Sequence, residues 1–282
     1  MFRHLNCRIS QSLWSELQAE VDRTGHSLSH VVQEKLSAAY DVEHHTIFQV
    51  STSTAVTKGL FKGCATAADL KTHGDFGLGT FEDLDGELIL FEGHAYQARD
   101  AGIVEEAPDN TLTPFATVTR FTPEHEIELE RVQSQAHLET LLDNQRPSEN
   151  TFVGIRIDGV FDRIELRAAC KANPGEDLVA ATGHQSEFAF ENIEGTLVGF
   201  WAPIYARTLT ISGYHLHFIS KDRSKGGHLI GVKASHLKAQ LHLETDFHFA
   251  VPETEQFLEA DLRDDPSADL SVAEHGHASD RE

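Results

Sequence analysis

The sequence predicts a strand-rich α+β fold, and three observations carry that expectation. Segments with strand character recur from about residue 46 to 250, β-branched or alternating and bounded by Gly, Pro, Asp or Asn. IFQVSTSTAV, GELILF, PFATVTRF, NTFVGIRIDGVF, GTLVGFW, YHLHFIS and AQLHLETDFHFAV are examples. Long helical patterns are few. The 282 residues are 40% hydrophobic and 24% charged, which suits a globular chain with one large domain or two.

The first 43 residues form a separate unit. Leu5, Cys7 and Ile9 alternate with His4, Asn6 and Arg8, predicting a short strand. Leu13, Trp14, Leu17 and Val21 then follow a helical period that Gly25 stops. Ser27 or Ser29 can cap a second helix carrying Val31, Val32, Leu36 and Ala39. This strand-helix-helix arm resembles a ribbon-helix-helix module, which implies a dimer formed through the strand and, in some members, DNA contacts from outward residues such as His4, Asn6 and Arg8. Up to residue 45 there are only Arg3, Arg8, Arg23 and Lys35 against six acids, so a basic footprint is missing. A dimerisation arm is therefore favoured over DNA binding.

Residues 44–282 form the main body. TAADLKTHG predicts a short helix ended by Gly74, and PEHEIELERVQSQAHLETLLD one longer helix. GDFGLG lacks the Lys-Ser/Thr of a phosphate loop and reads as a turn at a pocket edge. TEQFLEADL predicts a short helix after residue 252. The acidic end DDPSADLSVAEHGHASDRE, with few large apolar groups, reads as a disordered tail.

Several function classes are disfavoured. A net charge of −22 opposes general affinity for nucleic acid or anionic membrane. No apolar run approaches the ~20 residues of a membrane span, and no secretory signal is visible. Cys7, Cys64 and Cys170 fit neither a disulfide nor a zinc-knuckle pattern, which suits a cytoplasmic location.

GYHLHFISKDRSKGGH, residues 213–228, raises a metal site. If YHLHFI is a strand, His215 and His217 share one face while Leu216 and Phe218 point to the packed side. SKDRSKGG turns the chain, and HLIGV returns His228 beside the pair. Three imidazoles placed this way can hold Zn²⁺ and leave a position open for substrate. With 18 histidines in the chain, the ordinary alternative is a set of strand and turn histidines, and spacing alone leaves the two readings even. HGH at 275–277 matches equally well and is read as tail.

Further blocks decide between them. THGDFGLGTFEDLDGELI (72–89), PFATVT (114–119), IRIDGVF (155–161), FENIEGTLVGFWAPIYA (190–206) and GYHLHFISKDRSKGGH resemble the bacterial α-acetolactate decarboxylases, in order, from about Ile47 to the tail. The resemblance implies a zinc enzyme converting 2-acetolactate to acetoin and CO₂ through a metal-stabilised enediolate. It also implies a usually dimeric protein with a mixed β-sheet half (about 44–170), an antiparallel, barrel-like half (171–252), and a tail (253–282) folding back over the site. Carried over residue by residue, the zinc ligands are His215, His217 and His228, and the catalytic groups are Glu87, Arg167 and, by position counting, Glu274. If Glu274 has that role, the disordered reading fails for residues 269–274.

The residue chemistry supports these roles. Arg167 offers a fixed fork for a carboxylate, and Glu87 or Glu274 can deliver the proton that completes acetoin. Thr80 is a candidate pocket hydroxyl. Arg156 competes with Arg167, but in IRIDG it shares a strand face with Asp158 and is expected to pair with it. KANPGEDLVAATGHQ (171–185) matches the family loosely. Two other readings are a metal-responsive DNA-binding regulator and a zinc-binding sensor of 2-hydroxy-3-keto acids. The first leaves the LDGE, IRIDG and EGTLVGF blocks unexplained. A larger acetohydroxy acid, one methylene longer, would be poorly discriminated.

Overall fold

The computed structural model describes residues 6–40 and 45–275. Its longer strands are, in chain order, β1 (Thr46–Val50), β2 (Phe76–Thr80), β3 (Glu87–Phe91), β4 (His94–Ala98), β5 (Val104–Glu106), β6 (Phe115–Thr119), β7 (His125–Val132), β8 (Phe152–Ala168), β9 (Ser186–Ala202), β10 (Gly213–Ser220), β11 (Gly226–Glu244) and β12 (Asp246–Ala250). One sheet runs β12-β1-β6-β2-β3-β4-β5 and is mixed, because β12 lies parallel to β1 while its other pairs are antiparallel. The second runs β8-β9-β10-β11-β7, antiparallel throughout. A further ladder between β8 and β11 closes four of its strands into a small barrel.

Period-two alternation decides what each face buries. On β10, Leu216 and Phe218 enter the barrel core with Ile157, Phe161 and Leu237, while Ile219 faces the first sheet. On β3, Leu88 and Leu90 pack on the far side with Phe48 and Val118, while Ile89 and Phe91 meet Val198 and Phe200 from the barrel. The two sheets thus share an apolar seam. The Phe161 and Phe218 rings meet edge to face at 5.2 Å and are fully buried. Replacing either by Ala is expected to cost about 3–5 kcal/mol.

The helices follow their caps. The arm holds α1 (Gln11–Thr24), capped by Ser10 and ended by Gly25 at φ 74, and α2 (Leu28–Tyr40), where the Ser27 hydroxyl accepts from His30 N. Of the predicted arm strand, residues 6–10 carry no strand pairing within the chain, and the preceding residues lie outside the described ones. In the body, α3 (Ser53–Thr57) starts at Thr52, so IFQVSTSTAV is a strand followed by a helix rather than one strand. The helix α4 (Ala67–His73) has a capping box between Thr66 and Asp69 and stops at Gly74 as expected.

The predicted long helix over 123–143 is instead β7 followed by α5 (Gln135–Asp143). Pairing with β11 overrides the helix propensity of its glutamates, and Ile127 and Leu129 alternate with Glu126, Glu128 and Glu130. The glutamates ring an edge strand; Glu126 pairs with Lys238 at 2.7 Å and Glu128 with His236 at 2.8 Å. A change of sheet was expected near residue 170, whereas hydrogen bonding assigns both β7 and β8 to the second sheet. GDFGLG is not a turn but part of β2. There a Cβ on Gly79 would lie 2.3 Å from Phe115 O, so the glycine lets two strands approach.

Between β8 and β9 lies α6 (Leu178–Thr182), and after β12 come α7 (Glu255–Glu259) and α8 (Ser267–His275). The tail was expected to be disordered, but α8 buries Leu270 and Ala273 in a cluster with Val56, Leu84, Phe115 and Leu178. Those two apolar residues, three apart, lie on one face of the short helix. Residues 276 and 277 of HGH lie outside the described residues.

Candidate metal and active site

The β10–β11 hairpin brings the three histidines together as their alternation predicts. His217 and His228 are direct cross-strand partners, and His215 lies two residues along β10 on the same face. Ring centroids are 5.0 Å (His215–His217), 5.2 Å (His215–His228) and 5.3 Å (His217–His228) apart, close to an equilateral triangle. One nitrogen from each lies within 4.8 Å of the others, and all three residues are buried. Glycines permit the packing. A Cβ on Gly199 of β9 would sit 2.0 Å from His215 O, and one on Gly227, at φ 156, 2.7 Å from Arg167 O.

A β-bulge completes the row. The register between β8 and β11 shifts between Glu165 and Leu166, so that Arg167 falls opposite His228. Arg167, His228 and His217 therefore occupy neighbouring positions across three strands. From the opposing sheet, β3 supplies Glu87 on the same face as Ile89 and Phe91. One Glu87 oxygen accepts from Ala169 N at 2.9 Å, and the other lies 3.6 Å from His217 Nε2.

The donor set fits a transition-metal ion. His217 Nδ1 donates to Leu88 O at 2.9 Å, which fixes the tautomer and leaves the Nε2 lone pair beside the Glu87 carboxylate. Three imidazoles of this kind would hold a zinc-type ion and leave a position open for substrate, with the Glu87 carboxylate close by. Burial, aided by the nearby Arg167 charge, pulls the His215 imidazole down to about 3, so it stays neutral and available as a ligand.

One cavity is lined by His215, His228, Glu87, Arg167 and Thr80, together with Leu270 and Ala273 from α8. His217 lies behind this lining, against His215, His228 and Glu87. Thr80 spends its hydroxyl on Gly86 O at 2.9 Å, so its wall contact is partly structural. Glu274 lies on α8, one residue beyond Ala273, and its side chain is outside the described residues. Arg156 is not among the cavity's lining residues; its guanidinium forks onto Asp158 at 2.7 and 3.1 Å, as expected.

Sequence reasoning missed Gln185. Its Oε1 accepts from Arg167 at 3.1 Å across the base of the β8–β9 connection, and it lines the cavity. It sits in the loosely matching stretch 171–185, where a capping Asp177 and Gly183 were the only available signals.

Comparison with known proteins agrees with this geometry. Residues 47–264 match the family model for alpha-acetolactate decarboxylase. The Methanosarcina mazei alpha-acetolactate decarboxylase is 38% identical over 249 residues, 88% of this chain and 85% of the relative. That of Bacillus licheniformis is 35% identical over 86% of this chain and 96% of its own length. The crystal structure of the enzyme from Bacillus subtilis strain 168 superposes with a TM-score of 0.79 at 34% identity, covering 82% of this chain and 99% of that one. Among the described residues no helix is long and apolar enough to cross a membrane. Both the fold and the sequence show that this chain is a member of the alpha-acetolactate decarboxylase family.

Proposed function

We propose that the chain decarboxylates 2-acetolactate to acetoin and CO₂, acting as a carboxy-lyase with zinc held by His215, His217 and His228. The observation that carries this reading is the cluster of those imidazoles, two of which, His215 and His228, line one cavity together with Glu87 and Arg167. Decarboxylation breaks the bond between the carboxylate and the carbinol carbon. The electron pair left behind is conjugated with the adjacent ketone as an enediolate, and a proton added at carbon completes acetoin. When bound, the zinc ion would supply Lewis acidity toward the substrate's neighbouring hydroxyl and ketone oxygens.

The chain's own residues divide the remaining work. Arg167, braced by Gln185, offers its fork to the departing carboxylate and orients it. Glu87 is anchored through one oxygen by Ala169 N and turns the other toward the histidines, a position suited to delivering the proton. Glu274 is a second proton-donor candidate from α8. Thr80, Leu270 and Ala273 close the walls and limit water.

Two finer assignments accompany this one. The arm would associate with a second copy of the chain, because Ile9, Leu13, Trp14, Leu36 and Tyr40 remain exposed on it. Its acidic balance weighs against DNA. The three cysteines form no disulfide, in keeping with a cytoplasmic setting. The test of the activity is acetoin formation from racemic 2-acetolactate by chelator-stripped protein before and after addition of zinc chloride. Activity restored by zinc is expected; turnover indifferent to stripping would reject the metal assignment, and bound zinc without turnover would favour a sensor.

A further inference from the structure

A second group of metal-ligating side chains lies at the far end of β11, fourteen residues beyond His228. It contains His45, one residue before β1; Glu124, one residue before β7; and His242, near the end of β11. One ligand atom from each lies within 4.8 Å of the others. His45 and His242 are buried and stack at 4.9 Å with 12° between their planes. Each uses Nδ1 on a backbone carbonyl at 2.6 Å, His45 on Leu243 O and His242 on Thr122 O. A carbonyl only accepts, so both rings carry a proton at Nδ1, and in the neutral tautomer Nε2 is the atom that can ligate a metal. Those Nε2 atoms face carboxylates: His45 lies 3.4 Å from Glu124 Oε1, and His242 3.6 Å from Glu244 Oε1.

Glu244 supplies the independent observation. Its side chain is fully buried beside His242, and neither carboxylate oxygen has a well-formed hydrogen bond, because the neighbouring Thr119 hydroxyl is donated to Thr46 O at 3.2 Å. A carboxyl buried this way either keeps its proton or is completed by a cation or another strong partner. The 3.4 and 3.6 Å separations also approximate the ~3.4 Å edge of a tetrahedron with zinc-like bonds.

We propose that His45, Glu124, His242 and Glu244 form a second site, for a divalent cation of the zinc type. Two imidazoles and two carboxylates favour zinc or cobalt(II) over calcium or magnesium. Four protein donors leave no position for substrate, so this is a closed, structural site. It would tie the start of the first sheet to the end of the barrel's longest strand. Glu124, partly exposed, gives the cation its way in. The inference does not depend on the proposed activity.

The test uses the full chain carrying His217→Ala, which removes a ligand of the first site. The protein is loaded with cobalt(II) chloride and dialysed, and bound cobalt and its visible absorption are measured. About one equivalent should remain, with a tetrahedral spectrum. Adding His45→Gln, or the near-isosteric Glu244→Gln, should remove it or weaken binding at least about tenfold. Circular dichroism identifies which variants fold, and cobalt should raise the melting temperature of His217→Ala but not of the double variants. A folded His217→Ala protein that retains no cobalt overturns the site. So does cobalt binding indifferent to both second substitutions, which would point elsewhere, such as to the more exposed His26, His30 and Glu34.

Discussion

The two histidine clusters on β11 differ in how the chain assembles them. His215, His217 and His228 come from one hairpin, and strand alternation alone puts them on one face. His45, Glu124 and His242 come from three distant stretches and meet only where the two sheets join. The first cluster opens on a cavity with Arg167 and Glu87; the second, with Glu244 added as proposed above, would be closed by four donors. A local cluster is therefore readable before any fold is known, while a non-local one needs the fold. The openness of a site, more than its ligand types, separates chemistry from bracing.

Removing His217 should break the comparison most sharply. His217→Ala is expected to lower acetoin turnover on the order of 10³-fold or more in a steady-state assay, since the charge-stabilising centre is lost. Arg167→Lys keeps the charge but not the fork, and about a 10–100-fold fall in kcat/KM is expected. Gln185→Ala should produce a smaller loss in the same direction. Leu270→Asp, which places a charge in the buried seat of α8, should raise KM about tenfold and expose the tail to limited proteolysis. At the closed cluster, His45→Gln should leave turnover within about twofold of the wild type, because it touches no part of the cavity.

The smallest expected effect concerns pH and the cysteines. Burial raises the Cys64 thiol to about 11, whereas Cys7 is exposed. Below that value Cys64 holds its proton, so iodoacetamide at pH 8 should label Cys7 first. Labelling of Cys64 should increase as pH rises toward 11. Equal rates at pH 8, followed by mass spectrometry of the peptides, would contradict the burial assigned to Cys64.

Legibility followed the range of the interactions involved. The hairpin, the caps of α1 and α4, and the strands near the seam depend on neighbours in sequence, and their residues announced them. The β7 segment was misread although Ile127 and Leu129 alternate with glutamates, because glutamate-rich stretches also favour helices and only β11 decides the matter. The α8 helix looked like a disordered tail because Leu270 and Ala273 are its few buried residues, and what buries them lies on other elements. Arg167 was placed by family resemblance; the bulge that sets it opposite His228 left no mark in the sequence. Gln185 and the pairing of His45 with His242 depend wholly on tertiary structure.

The most direct measurement compares His217→Ala and His45→Gln side by side, with turnover of 2-acetolactate and bound zinc recorded on the same samples. The account predicts that the first loses turnover while the second keeps it, each losing about one zinc relative to wild type. Undiminished acetoin formation by a folded His217→Ala protein would contradict the assignment of the open histidine cluster as the catalytic centre.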